Sequence, residues 1–326
     1  MTSEQPPGVD LDALRAWMDE QGLGSGPLDD VRQLSGGTQN VLVRFRRGRL
    51  DVVLRRPPVH KRANSDETMR REARVLAALA GSGVPHPGLV AACADTDVLG
   101  AAFYLMEPIE GFNPAAGLPE PHRSDPAMRR AMGFSMVDAI AALARVDHEA
   151  VGLGDLGRPD GWLERQVGRW RRQLDSYAEL DGYPGPDIPG LDDVSAWLDR
   201  HRPGSWEPGI IHGDFHFANV LVRPDGPEVA AIVDWELCTI GDPLLDLGHL
   251  LATWPASTAG GAPAGAVGAG IGDLPAPSEL VARYVEATGR PADDVDWYHV
   301  LAAYRLGIIL EGTHARAFAG KAPREV

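Results

Sequence analysis

The chain has 326 residues, 44% hydrophobic and 24% charged, with a formal net charge of −15. That length allows one large domain or two lobes around a sizeable core. The acidic balance argues against nucleic acid as a partner, because phosphate binding needs a basic surface, and Cys93 and Cys238 form no CxxC pair from which a zinc site or disulfide framework could be built.

The first seven residues show neither a basic nor an apolar run, so no signal peptide is expected and the chain reads as cytoplasmic. Leu11, Leu14 and Trp17/Met18 recur at helical spacing and predict a first helix. Asn40–Phe45 and Leu50–Arg55, joined by a turn around Gly48, form a hairpin pattern that Pro57-Pro58 ends. A helix is expected over about Ser65 to Ala80, with Ser65 as N-cap and Asp66 and Glu67 in the first turn. Val84–Gly88 reads as a turn. Phe103–Met106 reads as a strand, stopped by Pro108 and Gly111.

Beyond this point the chain turns mostly helical. Apolar stripes predict helices over 127–146 and 160–178, followed by a Gly/Pro-rich loop at about 181–190. Short apolar runs at 209–211, 219–222 and 229–233 read as strands, and helices resume at about 243–253, 278–288 and 294–318. Residues 247–272 carry no Asp, Glu, Lys or Arg, which is long enough to suggest a membrane span. Pro255, Pro263 and the Ala/Gly content from 256 onward favour a surface loop instead, and no membrane partner is expected. The division is an N-terminal lobe over 1–107, β-rich with a leading helix, and a mainly helical C-terminal lobe over 108–326. The fold class is α+β.

The densest polar cluster is His212-Gly213-Asp214-Phe215-His216-Phe217-Ala218-Asn219, flanked by apolar runs. Asp234 follows at the end of another such run, then Asp242 and Asp246 in Gly241-Asp242-Pro243-Leu244-Leu245-Asp246. Phosphoryl transfer explains this spacing. A nucleophilic hydroxyl needs a carboxylate to orient it, and the phosphates need Mg²⁺, which prefers oxygen ligands. Asp214 is the candidate catalytic base, and Asn219 and Asp234 are the candidate metal ligands. His212 and His216 read as hydrogen-bonding braces of the loop, with metal ligation as the alternative. Asp242 reads as a helix cap and Asp246 as a brace of the loop backbone, with a direct chemical role as the alternative for either. Trp235 and Cys238 read as packing.

The runs Ile211–Leu221, Val233–Glu236 and Gly241–Leu247, with Leu156–Gln166, resemble the aminoglycoside phosphotransferase family. Within it they look like the branch related to the kinase domain fused to some acyl-CoA dehydrogenases. The resemblance spans about 30 to 318. It implies a protein-kinase-like bilobal fold, ATP or GTP as phosphate donor, and Mg²⁺. It also implies that Leu34–Asn40 is the phosphate-covering loop, with Ser35, Gly36, Gly37, Gln39 and Asn40 near the nucleotide. Leu105–Gly111 matches the interlobe hinge, where Glu107 and Ile109 would read the base edge and Met106 would line the pocket.

Arg55 departs from the family, whose members usually carry Lys at this strand position. Glu72 supports a buried cation independently. It falls on the apolar face of its helix with Met69, Leu76 and Leu79, where an unpaired carboxylate is costly. Arg55 is its expected partner, with Arg56 and Lys61 as other choices and surface pairing to Arg71 or Arg74 as the alternative.

The expected function is transfer of a nucleotide γ-phosphate to a hydroxyl of a small molecule. The family's acceptors include aminoglycosides, other antibiotics, choline-like amines, amino-acid alcohols and hydroxyacyl thioesters. Two rivals are a nucleotide-binding module without catalysis, motivated by Arg55, and a metal-dependent hydrolase built on His212, Asp214, His216 and Asp234.

Overall fold

The computed structural model describes residues 6–34, 40–61, 63–255, 267–268 and 270–320. Helix α1 (Leu11–Glu20) leads into strands β1 (Asp29–Gln33), β2 (Val41–Arg47) and β3 (Leu50–Arg56). Helix α2 (Ser65–Ala78) and strands β4 (Leu89–Cys93) and β5 (Phe103–Met106) complete an antiparallel sheet of order β1-β2-β3-β5-β4. Strand alternation decides what each face carries. Val43, Phe45, Val52, Leu54, Phe103 and Leu105 form one face and bury against Leu14, Trp17 and Met18 of α1. Trp17 meets Phe103 edge-on, with ring centroids 4.9 Å apart. The opposite face presents Val53, Arg55 and Tyr104, and Arg55 and Tyr104 are direct cross-strand neighbours.

The larger, mainly helical part contains α3 (Pro126–Ala144), α4 (Trp162–Asp175), α5 (Leu191–Arg200), α6 (Leu244–Ala252), α7 (Pro277–Thr288) and α8 (Val295–Phe318). Helices α6 and α8 pack closely. A Cβ at Gly248 would stand 2.6 Å from the Tyr298 backbone, so only glycine allows this approach. Two short two-stranded sheets frame the polar residues. Strand β6 (Gly209–Ile211) pairs with β9 (Thr239–Gly241), and β7 (Val220–Val222) pairs with β8 (Val229–Ile232). The connector after β5 is tied to both parts: Glu107 N–H donates to Gly88 O at 2.8 Å, and Phe112 exchanges 2.9 Å backbone bonds with Val222.

Several expectations need correction. Asn64, not Ser65, occupies the N-cap position of α2, and Ser65 is already helical. Strands β4 and β9 and helix α5 were not anticipated. Residues 247–252 belong to α6, and Leu247, Leu250 and Trp254 are fully buried, so this stretch is core rather than surface loop. Residues 256–266 lie outside the described residues. Among the described residues, no helix is long and apolar enough to cross a membrane.

Candidate active site

The loop between β6 and β7 is held from below by α6 and α8. Asp246, 2% exposed, accepts the backbone N–H groups of His212 at 2.7 Å and Gly213 at 2.8 Å. Burial pushes its carboxyl above the usual range, and the His212 ring and these N–H groups oppose that rise. Arg305, buried on α8, donates to Gly213 O at 2.8 Å and lies over the Trp170 ring. Burial lowers its guanidinium to about 10, so it stays charged at neutral pH. Gly213 has φ +85°, and a Cβ there would sit 2.7 Å from Leu237 O. His212 accepts the Asp214 N–H at Nδ1 (3.3 Å), which leaves Nε2–H to donate to Val233 O at 3.0 Å. Asp242 accepts the Leu244 N–H at 2.9 Å at the start of α6, and the Tyr298 hydroxyl at 2.5 Å.

This frame places the Asp214 carboxylate among donors. Asn219 donates from Nδ2 to Asp214 O at 2.8 Å and to Oδ2 at 3.0 Å. His216 Nε2 lies 3.6 Å from Oδ2, and His249 Nε2 lies 3.2 Å from Oδ1. Burial works against the charge on Asp214. The neighbouring His216 and His249 rings together outweigh it and hold this carboxyl far below the usual carboxylate range.

A second chain of contacts crosses between the lobes. Arg55 Nε is 2.9 Å from Glu72 Oε2, and both side chains are buried. Arg55 Nη2 donates to Asp234 Oδ1 at 2.6 Å. The Tyr104 hydroxyl donates to Glu72 Oε2 at 2.8 Å. Burial favours the neutral forms of both members of the pair. Burial is the largest single influence on Arg55, but Glu72, Tyr104 and Asp234 together outweigh it and hold its guanidinium well above its ordinary value, whereas burial still dominates at Glu72 and leaves its carboxyl raised. The other partners considered for Glu72 are engaged elsewhere. Lys61 pairs with Asp66 at 2.6 Å, Arg71 donates to Leu156 O and Cys238 O, and Arg74 pairs with Asp155. Arg56 belongs to the other face of the sheet by strand alternation.

Between these two assemblies lies a cavity of about 290 Å³. Apolar Leu34, Val53, Leu221 and Val233 line its walls. Met106 at the end of β5, with Glu107 and Ile109 of the connector, lines the cavity together with Arg55, Asn219 and Asp234. Asp234 has φ +66°, a left-handed backbone that a non-glycine residue adopts at a cost of order 1–3 kcal/mol. A larger recess of about 550 Å³ between residues 114–118 and 268–272 has no acidic lining; the chemistry, rather than the volume, selects the interlobe cleft.

The structure therefore gathers Arg55, Asn219, Asp234, Met106, Glu107 and Ile109 around one cavity, with Asp214 against Asn219 and Glu72 behind Arg55. Asn40 precedes β2 and is not among the cavity-lining residues. Ser35, Gly36, Gly37 and Gln39 lie outside the described residues. The four residues of the hydrolase alternative are not assembled. Among the described residues the cluster able to hold a metal is Asp214, His216 and His249, without His212 or Asp234. Sequence reasoning missed His249, Arg305 and Tyr104. The one usable signal was the spacing of Asp246 and His249, which share a helix face.

Residues 30–281 match the phosphotransferase enzyme family, APH. Acyl-CoA dehydrogenase family member 11 of Gallus gallus is 32% identical over 309 residues, 90% of this chain. The chain spans only 38% of that relative's length. A crystal structure of a candidate aminoglycoside phosphotransferase from Ralstonia eutropha superposes with TM-score 0.77 at 32% identity, covering 96% of this chain and 91% of that one. The GDP complex of wild-type aminoglycoside 2'-phosphotransferase-IIIa shares the fold, with TM-score 0.63 at 17% identity and coverage of 96% of each chain. The chain belongs to the aminoglycoside phosphotransferase family and has its protein-kinase-like α+β fold.

Proposed function

We propose that the protein transfers the γ-phosphate of ATP or GTP to a hydroxyl of a small molecule, with Asp214 as catalytic base. The observation that carries this reading is the cleft. An apolar slot suited to a nucleotide base is bordered by the connector and by Arg55, Asn219 and Asp234, and Asp214 stands against Asn219. Met106 at the end of β5 and the connector residues Glu107 and Ile109 receive the base. Arg55, buttressed by Glu72, faces the phosphates with a planar fork that binds oxygens bidentately.

Asp214 accepts the hydrogen bond of the acceptor's hydroxyl and points its oxygen at the phosphorus. In a loose transition state this orientation matters more than early proton removal. That suits a carboxylate whose neighbours hold it firmly ionised. The donor set fits Mg²⁺: Asn219 turns its NH₂ toward Asp214, which leaves Oδ1 for a cation, and Asp234 adds carboxylate oxygens. Bound there, Mg²⁺ supplies charge neutralisation on the phosphates.

The acceptor is a small hydroxylated molecule. The acyl-CoA dehydrogenase name of the relative makes hydroxyacyl-CoA the first class to try, and the −15 charge makes cationic aminoglycosides the second. A nucleotide-binding module without catalysis is the second reading, because Arg55 already engages Asp234. A nucleotide-consumption screen against hydroxyacyl-CoAs, aminoglycosides and amino alcohols separates the two. Transfer lost in Asp214→Asn with nucleotide binding kept supports the kinase; nucleotide binding with no acceptor at all supports the module.

A further inference from the structure

Helix α6 carries two polar residues that the reaction described above does not use directly, Asp246 and His249, one turn apart among Leu245, Leu247, Leu250 and Leu251. Both are aimed at the loop that carries Asp214. Asp246 holds the backbone before it. His249, 1% exposed, places Nε2 3.2 Å from Asp214 Oδ1, and neither ring nitrogen has another hydrogen-bond partner among the described residues. Burying an imidazole in a leucine-rich helix costs free energy unless a polar contact offsets it. Among the described residues, Asp214 is the group within reach that does so.

The rest of the arrangement agrees. His216 Nδ1 accepts the Ala218 N–H at 3.1 Å, so its ring proton sits on Nε2, facing Oδ2 of the same carboxylate. Asn219 donates to that oxygen as well. The His216 and His249 rings stack with centroids 5.7 Å apart and planes at 28°. The two imidazoles therefore bracket Asp214, one on each oxygen. The His249 contact is short enough for a hydrogen bond but poorly aligned, as catalytic contacts often are before substrates bind.

We propose that His249 is a positioning residue: its Nε2–H holds Oδ1 of Asp214 while His216 and Asn219 hold Oδ2, which fixes the carboxylate plane toward the acceptor's hydroxyl. The proposal rests on the kinase reading of Asp214. Burial lowers the His249 pKa, which keeps the ring a neutral single donor at neutral pH.

The test compares His249→Leu, which removes the donor, with His249→Gln, which returns an N–H near the Nε2 position. His249→Leu is expected to lower kcat by roughly 10- to 100-fold, by analogy with the outer-shell partners that orient metal ligands, with His249→Gln recovering most of it. Nucleotide Kd and acceptor KM stay at wild-type values in both. Long-range ¹H–¹⁵N spectra of the wild-type protein are expected to show His249 as the Nε2–H tautomer, with a resonance that moves in Asp214→Asn; this readout holds if the leucine variant fails to fold. A Gln variant as slow as the Leu variant, an Nδ1–H tautomer, or stoichiometric zinc lost on mutating His249 overturns the proposal. A wild-type protein that transfers phosphate while His249→Leu keeps full kcat refutes it alone. A wild-type protein that transfers phosphate to no acceptor refutes the kinase reading, and this proposal with it.

Discussion

Asp246→Ala isolates the support of the loop from its chemistry. The carboxylate accepts two buried backbone N–H groups, at 2.7 and 2.8 Å, and is itself 2% exposed. Its removal leaves both donors without an acceptor, at about 1–3 kcal/mol each. Relief of the buried charge returns part of that, so a net loss of about 1–5 kcal/mol is expected. In a chain of this size each kcal/mol lowers Tm by about 2 °C, which gives a drop of about 2–10 °C. Asp246→Asn keeps one acceptor oxygen and is expected to fall between wild type and Ala. The assay is thermal unfolding beside kcat under conditions where all variants are folded. Because His212 and Gly213 lead directly into Asp214, kcat is expected to fall while nucleotide Kd holds. An Ala variant that melts within 1 °C of wild type (well under the ~1 kcal/mol worth of one such bond) and keeps its kcat refutes the reasoning.

Three further outcomes follow from the same contacts. Arg55→Met strands the buried Glu72 carboxylate and is expected to cost about 3–5 kcal/mol in urea unfolding, whereas Arg55→Met with Glu72→Leu recovers most of that stability yet not nucleotide binding. Gly213→Ala forces a side chain into a left-handed backbone against Leu237 O, and a loss of about 1–3 kcal/mol is expected by the same measurement. The depressed pKa of Asp214 makes its stabilising contribution complete above the unfolded value of about 3.9 and lost only as pH falls toward the folded value. The stability difference between wild type and Asp214→Asn is therefore expected to shrink as pH falls below about 4, and any acid limb of kcat near pH 6 belongs to another group.

The parts legible in the sequence were those whose meaning lies in local residue type and spacing. Glu72 on the apolar face of α2 announced a buried cation, and Arg55 is there. The Asp-to-Asn spacing in the 212–219 loop brought Asp214 and Asn219 into direct contact, as a tight loop must. Contacts made across distant elements stayed hidden. His249 and Arg305 reach the loop from α6 and α8; apart from the one-turn spacing of Asp246 and His249, nothing in their own neighbourhoods marks them apart from buried core. Tyr104 looked like one more apolar strand residue until its hydroxyl met Glu72. Strand β4 alternates weakly because four of its five residues are partly or fully exposed, and α5 buries only Leu198. Neither gives a periodic signal strong enough to stand out. Within the stretch 247–272 read as a surface loop, residues 247–252 instead belong to α6, in the helix expected over 243–253. Freedom from charge marks a buried helix as readily as a loop, and α6 fills the start of that stretch with core leucines.

The central claim is that Asp214 directs a nucleotide γ-phosphate to a small-molecule hydroxyl. The most direct measurement supplies γ-labelled ATP or GTP with the acceptor panel and follows the label into product by mass spectrometry, for wild type and Asp214→Asn. The account predicts labelled product from the wild type with at least one acceptor, and its near-complete loss in Asp214→Asn at unchanged nucleotide affinity. Labelled product formed equally by both proteins would contradict it.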